Sequence, residues 1–318
     1  MGTSETLAPG MGAQAGRLRQ RCGETLAAEN RKYVIFSGDS ESKMIIADIL
    51  TFITWSADPD IFVVPYLEHP IRWYGLSWAL GFIVSQQVMY YIYKKEGLPS
   101  GDVDSLTIYI IIAAVVGARL GHVLFYDPAY YFSEPLRILA VWEGGLASHG
   151  AAIGVLIGLY FFAKKTNVPY LWIVDRLVII SALTGSFIRT GNLMNSEMVG
   201  LPTTLPWGFI FTYVDQIPRH PAQLYEAIYC FALFLLLFGL WYRRRDKLKN
   251  GTLFGWFLII LFTLRFIDEF FKINQVEFED GMALNMGQIL SIPFVITGLL
   301  ILILNARKRT GESVPLAD

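Results

Sequence analysis

The amino-acid sequence alternates between long apolar runs and short polar connections over most of its length. About 20 apolar residues are needed for a helix to cross a hydrocarbon core of about 30 Å. About seven runs approach that length, and none shows the period-two alternation of a membrane barrel. They are Arg72–Tyr93, Leu106–Tyr126, Leu146–Ala163, Leu171–Ile188, Leu224–Tyr242, Leu253–Phe271 and Met286–Leu304. The pattern predicts an all-α integral membrane bundle of about seven transmembrane helices.

Basic residues follow every second apolar run. Loops rich in Lys and Arg stay on the cytoplasmic side of a membrane. The clusters are Lys94-Lys95, Lys164-Lys165, Arg243-Arg244-Arg245 and Arg307-Lys308-Arg309. Because about seven alternating spans place all four clusters on one side, we expect residues 307–318 to form a cytoplasmic tail. The segments on the other side then form an external head.

The first 70 residues differ from the rest of the chain. Residues 1–43 are polar and lack the apolar core of a signal peptide, so we interpret them as a disordered or artificially added extension. Met44–Trp55 is apolar but too short to span. We therefore expect residues 44–70 to lie at the external membrane interface and residues 71–306 to form the transmembrane domain.

The composition fits a membrane bundle and excludes several other classes of protein. Hydrophobic residues make up 54% of the chain and charged residues 17%, against roughly 25% charged residues in soluble domains. A net charge of −1 leaves no basic excess for a nucleic-acid backbone. Cys22 and Cys230 are too isolated for a disulfide framework or a paired-cysteine metal site. Common metal, hydrolase and phosphate-loop motifs are missing from the sequence, so we expect neither metal nor cofactor.

The richest group of polar residues lies at 189–200, at the external end of the fourth run. An ionisable group at bilayer depth costs about 2.5–3.5 kcal/mol, so it calls for a partner or a function. Arg189 and Asn192 are three residues apart and share a helix face. The glycines and amides that follow indicate a break that presents Asn195 and Glu197 from a loop. The alternative, an arginine that reaches water beside an ordinary loop, does not account for the amides and the carboxylate.

His149 opens the third run among several glycines, including Gly150. Small residues allow a second backbone or a lipid headgroup to approach closely. A histidine pKa near 6.5 suits proton transfer at physiological pH. A purely structural histidine is the alternative.

Arg265 lies inside the sixth run, with Glu269 one turn later. The two can form an intrahelical ion pair, or Glu269 can hold the guanidinium towards a phosphate, and both can be true together. Tyr74 can either anchor the interface or reach inward. Arg119 and His220 are further polar positions beside apolar runs. Two arginines near headgroup depth favour an anionic phospholipid as ligand.

The sequence resembles the prolipoprotein diacylglyceryl transferase family from about Asp58 to Arg309. The motifs that carry the resemblance are Arg72–Leu76, Gly117–Gly121, Trp142–Gly150, Arg189–Gly200, His220–Glu226, Arg265–Phe271 and Met286–Ser291. The chain departs from the family pattern at Ala151, where glycine is usual, and at Ile188 and Leu193, where glycine and phenylalanine are usual. These changes bear on local packing more than on the polar residues.

The resemblance implies transfer of an sn-1,2-diacylglyceryl group from phosphatidylglycerol to the lipobox cysteine of a prolipoprotein signal peptide, with release of glycerol phosphate. It implies a multi-pass enzyme of the bacterial cytoplasmic (inner) membrane, with its site facing the periplasm or exterior and residues 71–306 as the catalytic domain. Its partners are then the two substrates and the lipid bilayer, without nucleic acid. The expected catalytic residues are His149, Arg189, Arg265, Tyr74 and Glu197. The expected substrate-binding residues are Arg189, Asn192, Asn195, Gly150, Gly200, Arg119, Glu269 and His220.

The chemistry of these side chains fits that reaction. A thiol with a pKa near 8.5 needs a base, for which we favour His149. Arg189 and Arg265 would bind the phosphate, and the expected carboxylates would position the arginines or share in proton transfer. A lipid transporter or flippase with a site for an anionic headgroup is the main alternative. A structural scaffold is a weaker one, because so many polar residues would be costly without a function.

Overall fold

The computed structural model describes residues 52–64, 69–273, 279 and 282–307. In these residues seven long helices make up the body of the protein. They are α1 (Trp73–Lys95), α2 (Gly101–Phe125), α4 (Ser148–Thr166), α5 (Tyr170–Met194), α6 (Ala222–Arg244), α7 (Thr252–Asp268) and α8 (Met286–Arg307), with a short helix α3 (Pro128–Ser133) between α2 and α4. The 3-10 turns Pro135–Leu139, Val141–Glu143, Arg245–Lys247 and Glu269–Phe271 connect or extend these helices.

The predicted helical membrane protein is confirmed at the level of helix type and apolar character. Among the described residues, α2, α5, α8 and Ala222–Lys247, which contains α6, are long and apolar enough to cross a membrane. Each predicted run falls on one of the seven long helices, but seven crossings remain a prediction. Large apolar side chains stay exposed along the helices, such as Ile112 at 58% and Leu300 at 54%. Lipid is the medium in which such surfaces are stable.

Helices α2 and α4 pack backbone to backbone. A Cβ atom added to Gly117 or Gly121 would collide with the backbone of α4, and one added to Gly150 or Gly154 would collide with α2. Small residues permit this approach, in which van der Waals packing replaces the missing hydrophobic driving force inside a bilayer. The glycines around His149 therefore serve, at least in part, to join two helices.

The basic helix ends meet at one end of the bundle. Arg176, in the second turn of α5, donates two hydrogen bonds to Glu96, just after α1, at 2.9 and 3.0 Å from its Nη2. Trp241, near the end of α6, donates to the same carboxylate. Asp175 accepts backbone N–H groups at the start of α7 at 2.8 Å, and Asn305 of α8 donates to a carbonyl just before α7 at 3.1 Å. The C-terminal ends of α1, α6 and α8 thus meet the starts of α5 and α7, as expected for successive helices that run in opposite directions.

Five short strands lie outside the long helices in the described residues: β1 (Ile53–Trp55), β2 (Asp60–Val64), β3 (His69–Arg72), β4 (Phe209–Phe211) and β5 (Pro218–Arg219). β4 pairs in parallel with β1 and antiparallel with β5, and β2 and β3 form an antiparallel pair. Hydropathy did not predict them, because segments of two to five residues carry too little periodic signal.

The structure describes part of the segments predicted on either side of the long helices. Part of the predicted interfacial segment, 52–64, contributes β1 and β2, and its location at a membrane interface remains a prediction. Residues 44–51 and 65–68 of that segment, the leader 1–43 and the tail after Arg307 lie outside the described residues.

Candidate active site

Arg189 and Glu226 form the centre of the candidate site. Arg189 lies near the C-terminal end of α5 and pairs with Glu226 in the second turn of α6. The carboxylate side chain is 1% exposed and the arginine side chain 21%. Nη1 of Arg189 also donates to Oδ1 of Asn192 at 3.4 Å. Protein contacts thus fix part of the guanidinium, and the rest of it remains accessible to a ligand.

The loop after α5 presents polar groups beside Arg189. α5 ends at Met194, and Ser196 and Met198 adopt positive φ angles of 53° and 56° as the chain turns back. Glu197 accepts hydrogen bonds from Asn192 at 3.2 Å and from Asn195 at 3.0 Å. The structure therefore brings together the residues predicted from this motif.

Lys272 connects this half of the site to the end of α7. Its Nζ contacts Glu226, Asp268 at 3.2 Å and Glu269 at 3.7 Å, and its side chain is 3% exposed. Glu269 in turn lies 3.6 Å from Nη2 of Arg265. A lysine with three carboxylates around it is costly to bury unless each charge is paired.

The two arginines consequently belong to one network of alternating charges, which we call the charge network. It contains Arg189, Glu226, Lys272, Asp268, Glu269 and Arg265. Three positive and three negative groups balance in it. Arg265 is 40% exposed at its side chain and Arg189 21%, whereas the carboxylates are nearly buried. A guanidinium has five N–H donors, so each arginine keeps donors for a bound anion.

Gly200 and His220 hold the loops between α5 and α6 against Lys272. The N–H of Gly200 donates to the carbonyl of His220 at 2.9 Å, and Gly200 also forms a backbone bridge with Lys272. A side chain at Gly200 would collide with the carbonyls of His220 and Phe271. The ring Nδ1 of His220 lies 3.2 Å from the hydroxyl of Tyr225. Burial lowers the pKa of His220, which favours its neutral form at physiological pH.

Tyr74 and Asn285 flank the charge network from the starts of two helices. Tyr74, in the first turn of α1, lies so close to Gly191 that an added Cβ would be 3.2 Å from its ring. Asn285, just before α8, donates to Glu269 at 3.2 Å. The C-terminal ends of α5 and α7 and the starts of α1, α6 and α8 therefore meet around this site, opposite the basic ends.

Arg119, His149 and Gly150 form a separate group on α2 and α4. Arg119 is 3% exposed and donates to the carbonyls of Ile138 at 2.9 Å and Gly144 at 2.6 Å. Its guanidinium also lies over the ring of Tyr131, 4.9 Å from the centroid. His149 is exposed on the first turn of α4, and its side chain forms no hydrogen bond or ion pair with another described residue. None of the three contacts the charge network, so their predicted roles remain predictions.

Sequence reasoning left Glu226, Lys272 and Asp268 out of the predicted site. Glu226 is the last residue of the motif His220–Glu226. A carboxylate in an apolar helix calls for a partner or a function, so Glu226 could have been predicted as a site residue from the sequence. Lys272 follows the sixth run and looked like an ordinary boundary residue. Only the fold reveals that Lys272 is buried between α6 and α7. Among the described residues, no three His, Cys, Asp or Glu side chains are placed to share a metal ion.

The fold and the site together define a helical membrane protein with a polar site at one end of its bundle. A family model described as prolipoprotein diacylglyceryl transferase matches residues 61–304, and the chain belongs to this family. The predicted resemblance is confirmed.

Relatives match the chain over most of its length. A phosphatidylglycerol–prolipoprotein diacylglyceryl transferase of Tolumonas auensis is 46% identical over 256 residues, which cover 80% of this chain and 98% of that protein. A protein of the same name from Bacteroides fragilis is 42% identical over 275 residues, covering 83% and 99%. Another from Porphyromonas gingivalis is 44% identical over 268 residues, covering 79% and 94%. These names give no support to the alternative of a lipid transporter.

Proposed function

We propose that this protein transfers the sn-1,2-diacylglyceryl group of phosphatidylglycerol to the thiol of a lipobox cysteine in a prolipoprotein signal peptide. The names of its relatives support both substrates. The structural observation that carries the proposal is the charge network, in which Lys272 links the carboxylate that pairs with Arg189 to the carboxylate that pairs with Arg265, while both arginines stay partly exposed. Such an arrangement suits a phosphodiester, because a guanidinium donates parallel hydrogen bonds to phosphate oxygens and stays charged when poorly hydrated.

The reaction is a substitution at carbon. The sulfur of the thiolate attacks the glyceryl carbon that carries the phosphate, the carbon–oxygen bond breaks, and the oxygen keeps the electron pair as glycerol phosphate leaves. Arg189 and Arg265 bind the phosphate and stabilise the charge that grows on it. This stabilisation is largest where water is excluded. The carboxylates of the charge network are nearly buried, so this part of the site is shielded from solvent.

The loop after α5 orients the headgroup. Asn192 and Asn195 donate to the same carboxylate, Glu197, so the two amides are fixed relative to each other. Tyr74 closes this side of the site through its contact with Gly191. Glu197 and Glu269 position the amides and Arg265, and Gly200 and His220 fix the loop against Lys272.

His149 takes the proton of the thiol in this proposal. Only a few per cent of a thiol with a pKa near 8.5 is ionised at pH 7, so a base is required. His149 is exposed at the start of α4, where a peptide can reach it. Arg119 and Gly150 contribute by position, since one fixes the loop that precedes His149 and the other seats α4 against α2.

We further propose that the protein crosses the bacterial inner membrane seven times, with the charge network on the periplasmic or external side and the C-terminus in the cytoplasm. The support is the position of the basic residues at the ends of α1, α4, α6 and α8, opposite the site.

The test is an assay with the full chain in vesicles that contain acyl-labelled phosphatidylglycerol and a lipobox peptide. We expect the peptide to gain a diacylglyceryl group. Arg189→Ala should reduce transfer by about 100-fold or more while the protein stays folded, because Glu226 keeps its contact with Lys272. Arg243→Ala, an exposed change at the other end of the bundle, is the matched control and should retain full transfer. Unimpaired transfer by Arg189→Ala would contradict the assigned role.

A further inference from the structure

Gln223 is a fully buried amide without a hydrogen-bond partner. It lies in the first turn of α6, and its exposure is 0%. Neither Nε2 nor Oε1 has a partner in the structure. A buried amide without hydrogen bonds loses its contacts with water and gains none in return, so proteins rarely keep one without a reason.

The other buried amides of the described residues all have partners. Asn192 accepts from Arg189 and donates to Glu197. Gln288 donates to a backbone carbonyl and accepts a backbone N–H at 3.1 Å. Asn305 donates to the carbonyl of Asn250 at 3.1 Å. Asn195 also has a buried Oδ1 without a partner, but its Nδ2 donates to Glu197 at 3.0 Å. Among the described residues, Gln223 is therefore the buried amide that lacks a partner at both ends, which needs an explanation.

The position of Gln223 places it beside the charge network. It precedes Glu226 by three residues, so the two side chains share a face of α6 with Cβ atoms about 5–6 Å apart. Glu226 is the buried carboxylate that fixes Arg189. A headgroup whose phosphate binds Arg189 therefore has its next few atoms within reach of α6. The amide has no accessible surface, so the headgroup must move a neighbouring side chain to meet it.

We propose that Gln223 is a specificity-determining residue that recognises the two hydroxyl groups of the glycerol headgroup. This inference rests on the proposed function, which supplies phosphatidylglycerol as the donor lipid. A hydroxyl group both donates and accepts, and an amide offers two N–H donors and a carbonyl acceptor. Two neighbouring hydroxyls can therefore satisfy both ends of the Gln223 side chain, whereas an alkyl headgroup leaves both ends unpaired.

The test compares two lipids that differ only in these hydroxyls. Phosphatidyl-1-propanol has the same phosphodiester charge and the same three-carbon headgroup as phosphatidylglycerol but lacks both hydroxyls. Transfer to a lipobox peptide is measured with each lipid, with matched acyl chains, and kcat/KM is compared. For the native protein we expect phosphatidylglycerol to be favoured by about 10- to 100-fold, because a site built around a hydroxyl rejects the analogue that lacks it.

Gln223→Met replaces the amide by an apolar chain of similar length. We expect the preference to fall to within about threefold of unity, mainly through slower transfer from phosphatidylglycerol. Gln288→Met is the matched control, since it removes a buried amide that already has partners, and should leave the preference unchanged. A variant that is merely less stable lowers both rates together and does not change their ratio.

Two results would overturn the inference. One is a native protein that uses both lipids equally well, a measurement that does not depend on whether a variant folds. The other is a Gln223→Met variant that keeps the native preference, as expected if the amide only holds a buried water molecule. A native protein that transfers from neither lipid would instead count against the proposed function.

Discussion

At the scale of single residues, the structure gives Lys272 more importance than its place in the sequence suggests. Its one positive charge lies among three carboxylates, two of them from the end of α7 and one from α6. Arg189 contributes a second cation to Glu226, whereas Asp268 pairs with Lys272. Lys272 therefore holds the carboxylates of the site together.

Lys272→Met should destabilise the protein by about 3–5 kcal/mol, because removing one partner of a buried ion pair leaves a charge without compensation. Lys272→Arg keeps the charge and should retain most of the stability. A double variant, Lys272→Met with Asp268→Asn, should recover part of the loss, since one buried negative charge is removed at the same time. Unfolding of the purified proteins in detergent, followed by heat or denaturant, measures these differences. A Lys272→Met protein as stable as the native one would contradict this account.

The residues of the site show what sequence reasoning can and cannot predict. Arg189 and Arg265 were identified because charge in an apolar run is costly, which is a property of the sequence alone. Glu226 obeys the same rule and was passed over as a site residue. Lys272 obeys no such rule, because its burial depends on how α6 and α7 meet. The contact between two residues 46 positions apart, Glu226 and Lys272, exists only in the folded chain.

At the scale of elements, hydropathy located the helices well and their ends poorly. The fourth run was predicted as Leu171–Ile188, but the helix that contains it, α5, continues to Met194. The apolar run ends before Arg189, whereas the backbone hydrogen bonds of the helix continue to Met194. The start of a helix can be misplaced in the same way: α2 begins at Gly101 rather than Leu106. Asp102 lies in its first turn, where the helix dipole favours negative charge. Hydropathy reports the lipid-facing length of a helix, and polar turns extend beyond it at both ends.

The glycine contact between α2 and α4 can be tested with a single methyl group. A Cβ on Gly154 would lie 2.9 Å from the Cα of Gly117 and would also strike a carbonyl of α2. Gly154→Ala should therefore force the helices apart and cost about 1–3 kcal/mol. It should also lower transfer activity, because α4 carries His149. Thermal unfolding and the peptide assay measure the two effects.

Gly239→Ala is the control for the glycine experiment. Gly239 lies in α6 with nothing within 4 Å of an added Cβ, so alanine should be neutral there, or stabilising by up to about 1 kcal/mol through its higher helix propensity. Equal effects of the two substitutions would show that helix propensity, and not close packing of α2 on α4, governs the stability at Gly154.

At the scale of the whole molecule, the two ends of the bundle differ in chemistry. One end contains the charge network, in which the two arginines are partly exposed. The other end contains buried polar contacts between helices, such as the ion pair of Arg176 with Glu96, whose side chains are 4% and 8% exposed. This asymmetry fits a site that serves one side of a membrane, because a transport path would more often place ionisable groups across the full depth of the bundle. The alternation of basic clusters in the sequence predicted the two ends, but the sequence did not show which buried contacts join the helices at each end.

The orientation can be tested by labelling single cysteines in cells that express the protein. After replacement of Cys22 and Cys230, one cysteine is placed at Thr204, in the exposed loop between α5 and α6, and in a second protein at Asp246, whose side chain is 88% exposed after α6. Removing Asp246 does not reduce the positive charge that favours the cytoplasm. An impermeant maleimide added to intact spheroplasts should label Thr204→Cys and spare Asp246→Cys, while both should react after permeabilisation. The reverse pattern would place the charge network in the cytoplasm, where it could not meet an exported prolipoprotein from outside. Labelling of both in intact cells would mean that the membrane does not separate the two ends of α6.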